Sequence, residues 1–315
     1  MILTKFNKKD FENILSNYNL GSYKSNKYIF TGSNTIYEIK TLKGKFILKV
    51  HDKMNLNFIR DEFKIVEFLN KKNFPTSRII LTNDGKNLFF YKNKKISIQK
   101  FSEGIHPKKF DESMIKEVAM VLGNLGKNLQ NYKGKCRDDW GFSHAFRRIK
   151  FKEDSLFNFN LNNESKKVFY EMKKLNKLKL KKSLVHGDLT PLNIFIENNK
   201  VISVIDWDDL HLDYRVYEIS TFLSLVIFDK RGVNRRLIKT FFRYYEKSIP
   251  LNSEEKRAIY YFLKQRFLSA TKYYLDKSKI HKDRKKEMLF FAKDRIEKYK
   301  ILDKISEEDF LKLIK

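Results

Sequence analysis

The spacing of apolar and polar residues divides the chain into a strand-rich first part and a helix-rich second part. Up to residue 101, helices are predicted at 7–18 and 57–72, and strands at 27–31, 35–41, 45–50, 87–91 and 95–101. Beyond residue 111 the apolar period becomes helical, with helices predicted at about 111–129, 164–178, 214–229, 233–247, 253–275 and 282–300. The pattern therefore predicts an α+β fold, with an antiparallel β-rich part (1–101) and a mainly helical part (102–315).

One stretch inside the helical part departs from this pattern. Residues 184–209 read LVHGDLTPLNIFIENNKVISVIDWDD, in which four polar residues (His186, Asp188, Asn193 and Asp206) accompany two apolar runs typical of buried strands. A turn at 197–200 would fold these runs into a hairpin and return Asp206 to the neighbourhood of Asn193. Polar groups are costly to bury without partners, so this arrangement calls for an explanation.

The spacing of these residues is that of a phosphoryl-transfer site. An amide oxygen and a carboxylate suit a hard cation such as Mg²⁺, and Asp188 can accept the proton of an attacking hydroxyl. The protein-kinase catalytic loop has the same H-x-D-x-x-x-x-N spacing. Asn and Asp often do no more than cap turns, but four polar residues at this spacing favour catalysis.

The segment HGDLxxxN…IDWDD resembles the hallmark of the aminoglycoside phosphotransferase and choline kinase-like family. The resemblance implies a two-lobed protein-kinase-like fold with a nucleotide cleft between the lobes, ATP or GTP as phosphoryl donor, and Mg²⁺. It makes Asp188 the catalytic base and Asn193 and Asp206 the metal ligands. His186 is expected to support the loop rather than to act as a base.

The resemblance also assigns nucleotide-binding residues in the first part of the chain. Lys49 ends the apolar strand KFILKV and matches the lysine that neutralises the α- and β-phosphates, while Glu62, 13 residues later, matches the glutamate that positions this lysine. Ser33 and Asn34 lie in the turn GSN, where the phosphate-covering loop is expected, although a plain hairpin turn explains these residues equally well. The adenine is expected to contact the remaining assigned residues, Gln99, Phe101 and Ile205.

Two features of the sequence bear on the acceptor. Asp206 and Asp213 are only seven residues apart, which leaves no room for the activation segment that binds peptides in protein kinases, so the predicted acceptor is a small molecule. Many relatives read GDPxxDLA after the metal-binding aspartate, whereas this chain reads LDYRVYEIS, with Glu218 in place of the second aspartate. Residues 214–300 contain 23 Lys and Arg against 10 Asp and Glu, which favours a neutral or anionic alcohol over a polycationic aminoglycoside.

The formal charge of +28 and the pI of about 9.8 raise nucleic-acid binding as a further possibility. The lysines are spread along the whole chain, so we expect a solvated basic surface rather than a nucleic-acid-binding face.

A signal peptide and an apolar run of about 20 residues are both missing, and Cys136 is the only cysteine. These features predict a cytoplasmic protein that does not enter membranes. The six histidines form no ligand-spaced pair, which excludes a zinc hydrolase.

The sequence thus predicts a Mg²⁺-dependent phosphotransferase that moves the γ-phosphoryl group of ATP or GTP to the hydroxyl of a small molecule. An amino-acid alcohol, an amino alcohol and a sugar all stay open as the acceptor, and the oligomeric state is not predicted. The alternatives are an aminoglycoside resistance enzyme and a catalytically silent scaffold or coat-type protein of the kinase fold.

Overall fold

The computed structural model describes residues 4–29, 34–134, 148–152, 155–175, 178–229 and 232–315. These residues form two compact units. The first comprises Met1–Ile105 with Phe195–Glu197 and Val201–Asp208, and the second comprises His106–Ile194, Asn198–Lys200 and Asp209–Lys315. A domain boundary directly after residue 101 stays a prediction.

The first unit is built on an antiparallel sheet. Its elements up to residue 105 are α1 (Lys8–Leu15), β1 (Tyr23–Ile29), β2 (Thr35–Thr41), β3 (Gly44–Val50), α2 (Leu56–Lys71), β4 (Ile79–Ile80), β5 (Phe89–Tyr91) and β6 (Lys94–Lys100). The strand order is β1-β2-β3-β6-β4, with β5 also paired to β6. The unit core brings α1 side chains such as Phe11 and Ile14 together with Ile39, Leu48 and Ile98 of the sheet. The sheet predicted from the alternating pattern is confirmed.

The second unit is mainly helical. It begins with the long helix α3 (Glu112–Gln130), which is followed by β7 (Ser155–Leu156), β8 (Phe159–Asn160), α4 (Leu161–Leu175) and β9 (Lys182–Val185). A hairpin of β10 (Ile194–Glu197) and β11 (Lys200–Val204) comes next and lies largely in the first unit. The second unit then continues with β12 (His211–Tyr214), α5 (Arg215–Val226), β13 (Phe228–Asp229), β14 (Gly232–Val233), α6 (Arg235–Tyr245), α7 (Ser253–Ile280), α8 (Lys285–Asp303) and α9 (Glu307–Leu313). The predicted α+β class is therefore confirmed.

A buried ion pair fixes α5 and α7 within this unit. The Arg215 guanidinium donates to both carboxylate oxygens of Glu255 at 2.5 Å and to the carbonyl of Pro250 at 2.7 Å. Glu255 also closes a capping box with Asn252 at the start of α7. The two helices that carry site residues of this unit are thus held together by one bidentate pair.

The predicted hairpin is present after His186–Asp188, which we call the HGD loop, and the residues of its turn explain why the turn forms. β10 pairs with β11, and the two connecting residues, Asn198 and Asn199, have φ values of 48° and 58°. A two-residue turn of this kind requires positive φ at both positions, and asparagine tolerates that conformation better than most residues. Asp206 follows two residues after the end of β11, and its own φ is 65°.

Several boundaries differ from those predicted. β1 begins at Tyr23 rather than at residue 27, because the polar residues at its start belong to an exposed edge strand, where alternation is not required. The last four predicted helices are displaced by at most five residues. The pattern missed β4, β12, the short hairpins β7–β8 and β13–β14, and α9, because elements of two to seven residues show too little periodicity.

His51, just after β3, gives a prediction about stability. The ring is buried, its Nε2 lies 2.9 Å from Ser97 Oγ, and burial together with the charge of Lys49 lowers the pKa of His51 from 6.5 to about 3. Below pH 6.5 the unfolded chain binds a proton that the folded chain does not, so the free energy of unfolding should fall by about 1.4 kcal/mol per pH unit as the pH drops towards 3. Urea unfolding between pH 7 and 4.5 measures this slope.

The His51→Asn variant serves as the comparison in that experiment. Asparagine keeps a polar atom for Ser97 but does not titrate. The free energy of unfolding of the variant should therefore depend less on pH than that of the wild type, whatever its stability at pH 7. Equal slopes in the two proteins would show that His51 is protonated in the folded state.

None of the helices in the described ranges combines the length and the apolar character needed to cross a membrane.

Candidate active site

The first unit surrounds one buried lysine with carboxylates. Lys49 Nζ donates a hydrogen bond to Asp208 Oδ1, and it lies 3.6 Å from Glu62 Oε1 and 4.0 Å from Asp206 Oδ1. Lys49 and Glu62 are each 3% exposed, whereas nearly half of the Asp206 side chain is accessible. The predicted pairing of Lys49 with Glu62 is thus observed, with Asp208 as the closest carboxylate of the group.

The turn that carries Asp206 and Asp208 is anchored within the first unit. The indole nitrogen of buried Trp207 donates to Thr76 Oγ1 at 2.9 Å, and the Thr76 hydroxyl donates to the carbonyl of Val204 at 2.9 Å. Asn34 donates its amide hydrogen to the second oxygen of Asp208 at 2.5 Å. These contacts hold the two carboxylates on the lysine side of the turn.

The charges of this group shift the pKa values of its members. Burial alone would lower the pKa of Lys49, but the negative charges of Asp208, Glu62 and Asp206 raise it above the ordinary lysine value. Burial raises the pKa of Glu62, and the charges of Asp208 and Asp206 add to this against the attraction of Lys49. One cation among three carboxylates leaves an excess of negative charge, which fits the binding of a further cation.

In the second unit, the HGD loop begins where β9 ends. β9 pairs antiparallel with β12, so that Val185 lies opposite His211. Gly187 has a φ of +86°, and a Cβ atom there would lie 2.2 Å from the carbonyl oxygen of Asp209 and 2.9 Å from the His211 ring. Only glycine fits this position, which explains the middle residue of the motif.

A buried carboxylate holds the backbone of this loop. The backbone N–H of His186 donates to Glu218 Oε2 on α5, and His186 itself is fully buried. Burial raises the pKa of Glu218 to about 7, although the hydrogen bonds from the His186 and Gly187 backbone oppose the shift. Glu218 on α5 therefore reaches the loop. The buried position of His186 agrees with the supporting role predicted for it.

Asp188 and Asn193 are brought together as the spacing predicts. Asn193 Nδ2 donates to the Asp188 carbonyl at 2.8 Å and lies 3.3 Å from its carboxylate oxygen Oδ2. Burial raises the pKa of Asp188 to about 6, the charge of Arg266 lowers it, and the charge of Asp209 raises it. A carboxylate whose pKa is close to neutral is well suited to accepting a proton.

The sequence interpretation missed two site residues. Asp208 was read only as part of the IDWDD motif, although its position two residues after Asp206 was a usable signal. Arg266, on α7, acts on Asp188 from 78 positions further along the chain, and nothing in its local sequence indicates this. The pattern of α7 predicts a helix but not which of its residues faces the HGD loop.

The other predicted nucleotide-binding residues are placed as follows. Ser33 lies outside the described residues, and Asn34 is buried beside Asp208. Gln99 lies in β6 between Ile47 and Ile79, and the partly buried ring of Phe101 has Lys45 Nζ 5.1 Å from its centre. Ile205 is partly buried before the Asp206 turn. A contact of any of these residues with nucleotide stays a prediction.

The donor chemistry of the predicted metal ligands fits Mg²⁺. Asn193 uses its amide nitrogen for Asp188, so its amide oxygen is the atom that can act as a ligand, and the Asp206 carboxylate is accessible. Within the described ranges, no group of three or more His, Cys, Asp or Glu residues is arranged to hold a metal ion by itself. A cation bound by either residue would complete its shell with phosphates and water, as Mg²⁺ usually does.

Comparisons with known proteins identify the family and the fold of this chain. The model of the phosphotransferase enzyme family matches residues 31–259. A homoserine kinase of Caulobacter vibrioides is 24% identical over 268 residues, which cover 82% of this chain and 83% of that protein. Among solved structures, an amicoumacin kinase in complex with AMP-PNP and Ca²⁺ superposes with a TM-score of 0.74 and 15% identity, over 96% of this chain and 95% of that one. A microcompartment-associated aminopropanol kinase superposes with a TM-score of 0.73 and 16% identity, over 98% of this chain and 100% of that one. The predicted protein-kinase-like fold is thereby confirmed.

Proposed function

The chain belongs to the phosphotransferase enzyme family, and on this premise we propose that it transfers the γ-phosphoryl group of ATP to the hydroxyl of a small hydroxy amino acid. The observation that carries the proposal is the buried Asp188 carboxylate, held by Asn193 and with a pKa raised to about 6. The homoserine kinase described above supports the choice of acceptor, since homoserine is a hydroxy amino acid.

Asp188 is the group that handles the proton in this reaction. The acceptor hydroxyl donates to its carboxylate, and the oxygen attacks the γ-phosphorus as the proton moves to Asp188. A new P–O bond forms, the bond from the γ-phosphorus to the bridging oxygen breaks, and ADP leaves with the electron pair. Asn193 keeps the carboxylate oriented through its amide nitrogen, and Glu218 holds the loop backbone beneath it.

The residues of the first unit bind the nucleotide. Lys49 orients the α- and β-phosphates, and Glu62 keeps the ammonium group in place at 3.6 Å. Ser33 and Asn34 contact the phosphates, while the backbone at Gln99 and Phe101 meets the adenine and Ile205 packs against it. Asn193 and Asp206 are the residues that would hold Mg²⁺, which would supply positive charge to the phosphate oxygens.

An acceptor panel tests this function. Purified protein is given ATP or GTP with Mg²⁺ and either homoserine, serine, choline, 3-aminopropan-1-ol, glucose or kanamycin, and ADP or GDP release is measured. We expect the highest kcat/KM with ATP and homoserine, with no turnover after chelation of the metal by EDTA. Nucleotide binding without acceptor-dependent turnover would instead identify a catalytically silent scaffold. Turnover of kanamycin alone would identify a resistance enzyme.

A further inference from the structure

We propose that Arg266 determines acceptor specificity by binding the carboxylate of the acceptor, so that hydroxy acids are selected over amino alcohols of the same length. The inference rests on the proposed function, and it assigns to α7 a role in recognition rather than in phosphoryl transfer.

A continuous set of contacts leads from Arg266 to the HGD loop within the second unit. Arg266 Nη1 donates to the Tyr217 hydroxyl at 2.9 Å, and the guanidinium carbon lies 5.3 Å from the centre of the same ring. The Tyr217 ring lies 5.9 Å from that of His211, which packs against Gly187, the residue before Asp188. The mutual influence of Arg266 and Asp188 on their pKa values agrees with this proximity.

The edge of the guanidinium group that binds carboxylates is not used by the described part of the protein. Nη1 is occupied by Tyr217, whereas Nε is buried and has no hydrogen-bond partner among the described residues. Nε and Nη2 lie on the same edge and can together donate two parallel hydrogen bonds to the two oxygens of one carboxylate. A buried donor without a partner is costly, so this edge is suited to a ligand that supplies two acceptor oxygens.

Arg215 shows how the same unit satisfies a buried arginine when the role is structural. Its Nε and Nη2 both bind the Glu255 carboxylate, and the Pro250 carbonyl takes a further hydrogen bond. Among the residues that the structure describes, no carboxylate oxygen of Asp or Glu lies within 4.0 Å of an Arg266 nitrogen, and this holds for Asp188 as well. Arg266 has the same donor groups as Arg215 but lacks the carboxylate, which we assign to the acceptor.

The face of α7 that carries Arg266 also carries Tyr273, two turns later. Tyr273 is 54% exposed, and besides burial and Tyr274, the charges of Asp188 and Asp209 raise its pKa. One face of α7 therefore carries both a cation and an accessible aromatic ring. A hydroxy acid placed with its carboxylate on Arg266 would have its hydroxyl end available to Asp188.

Homoserine and 3-aminopropan-1-ol form a matched pair for the test, because they differ only in the carboxylate. In the Arg266→Gln variant we expect KM for homoserine to rise about 10- to 100-fold, the range for loss of a charge-assisted hydrogen bond. Loss of the Arg266 charge raises the pKa of Asp188 for both acceptors alike, so we expect kcat/KM to fall at least tenfold more for homoserine than for 3-aminopropan-1-ol. Arg257→Gln is the control, since Arg257 lies on the same helix but pairs with Glu307 at 2.6 Å.

Arg266→Lys keeps the positive charge near Asp188 but loses the two parallel hydrogen bonds, and it provides a second test if the glutamine variant folds poorly. KM for homoserine should still rise, and kcat/KM for 3-aminopropan-1-ol should fall less than that for homoserine. An equal loss for both acceptors in both variants would overturn the proposal and make Arg266 a counter-ion of Asp188. Wild-type turnover of 3-aminopropan-1-ol but not of homoserine would also overturn it. A wild-type enzyme that phosphorylates no alcohol would instead refute the proposed function.

Discussion

Replacing Asp188 by asparagine should reduce kcat about 10³-fold, with KM for ATP changed by less than about threefold. Asparagine has the same shape and keeps an oxygen for Asn193 Nδ2, but it cannot accept the proton of the acceptor hydroxyl. The contribution of a well-placed general base is of this size. Steady-state ADP release measures kcat, and fluorescence titration with a labelled ATP analogue measures nucleotide affinity.

The same variant should be at least as stable as the wild type at pH 7. Burial raises the pKa of Asp188 from 3.8 to about 6, so the folded state binds a proton more tightly than the unfolded state, and ionisation above pH 6 costs stability. Removing the charge relieves that cost, by about 1–3 kcal/mol in urea unfolding. A loss of activity together with a gain in stability separates a catalytic carboxylate from a structural one.

Asp283→Asn, at an exposed position of the second unit, is the control and should change neither quantity. A decrease in kcat of less than tenfold for Asp188→Asn would show that the proton is taken by another group. A decrease accompanied by lower stability would show that Asp188 supports the loop instead.

The parts of the site that could be predicted are those fixed by local spacing. Asp188 and Asn193 are five residues apart on one loop, so their local spacing brings them together. The hairpin up to Asp206 follows equally from two apolar runs and an Asn-Asn turn. Its convergence with Asn193 on one cation stays a prediction.

The parts that could not be predicted depend on contacts between distant segments. β12 contains only four residues and is recognisable as a strand because it pairs with β9. Asp208 takes the closest place beside Lys49 because Trp207 is anchored to Thr76, 131 positions away. Arg266 is one of many basic residues on a helix, and its closeness to Asp188 follows from how α7 packs on α5, which periodicity does not encode.

Replacing Lys49 by methionine should affect both catalysis and stability. Methionine keeps most of the volume but removes the cation that orients the phosphates, so kcat/KM for ATP should fall about 10²- to 10³-fold. The loss also leaves Glu62 and Asp208 without their buried partner. Removing one member of a buried ion pair typically costs about 3–5 kcal/mol, and urea unfolding should show a loss of this order.

A double-mutant cycle with Asp208→Asn separates the two effects of this lysine. Once Asp208 is neutral, removing Lys49 leaves less uncompensated charge, so the combined variant should be more stable than the sum of the single changes predicts, by at least about 1 kcal/mol. Activity should not recover, because the cation for the phosphates is still missing. Additive stabilities would show that the contact between Lys49 and Asp208 contributes no net free energy, whereas recovered activity would show that the phosphates are held by another residue.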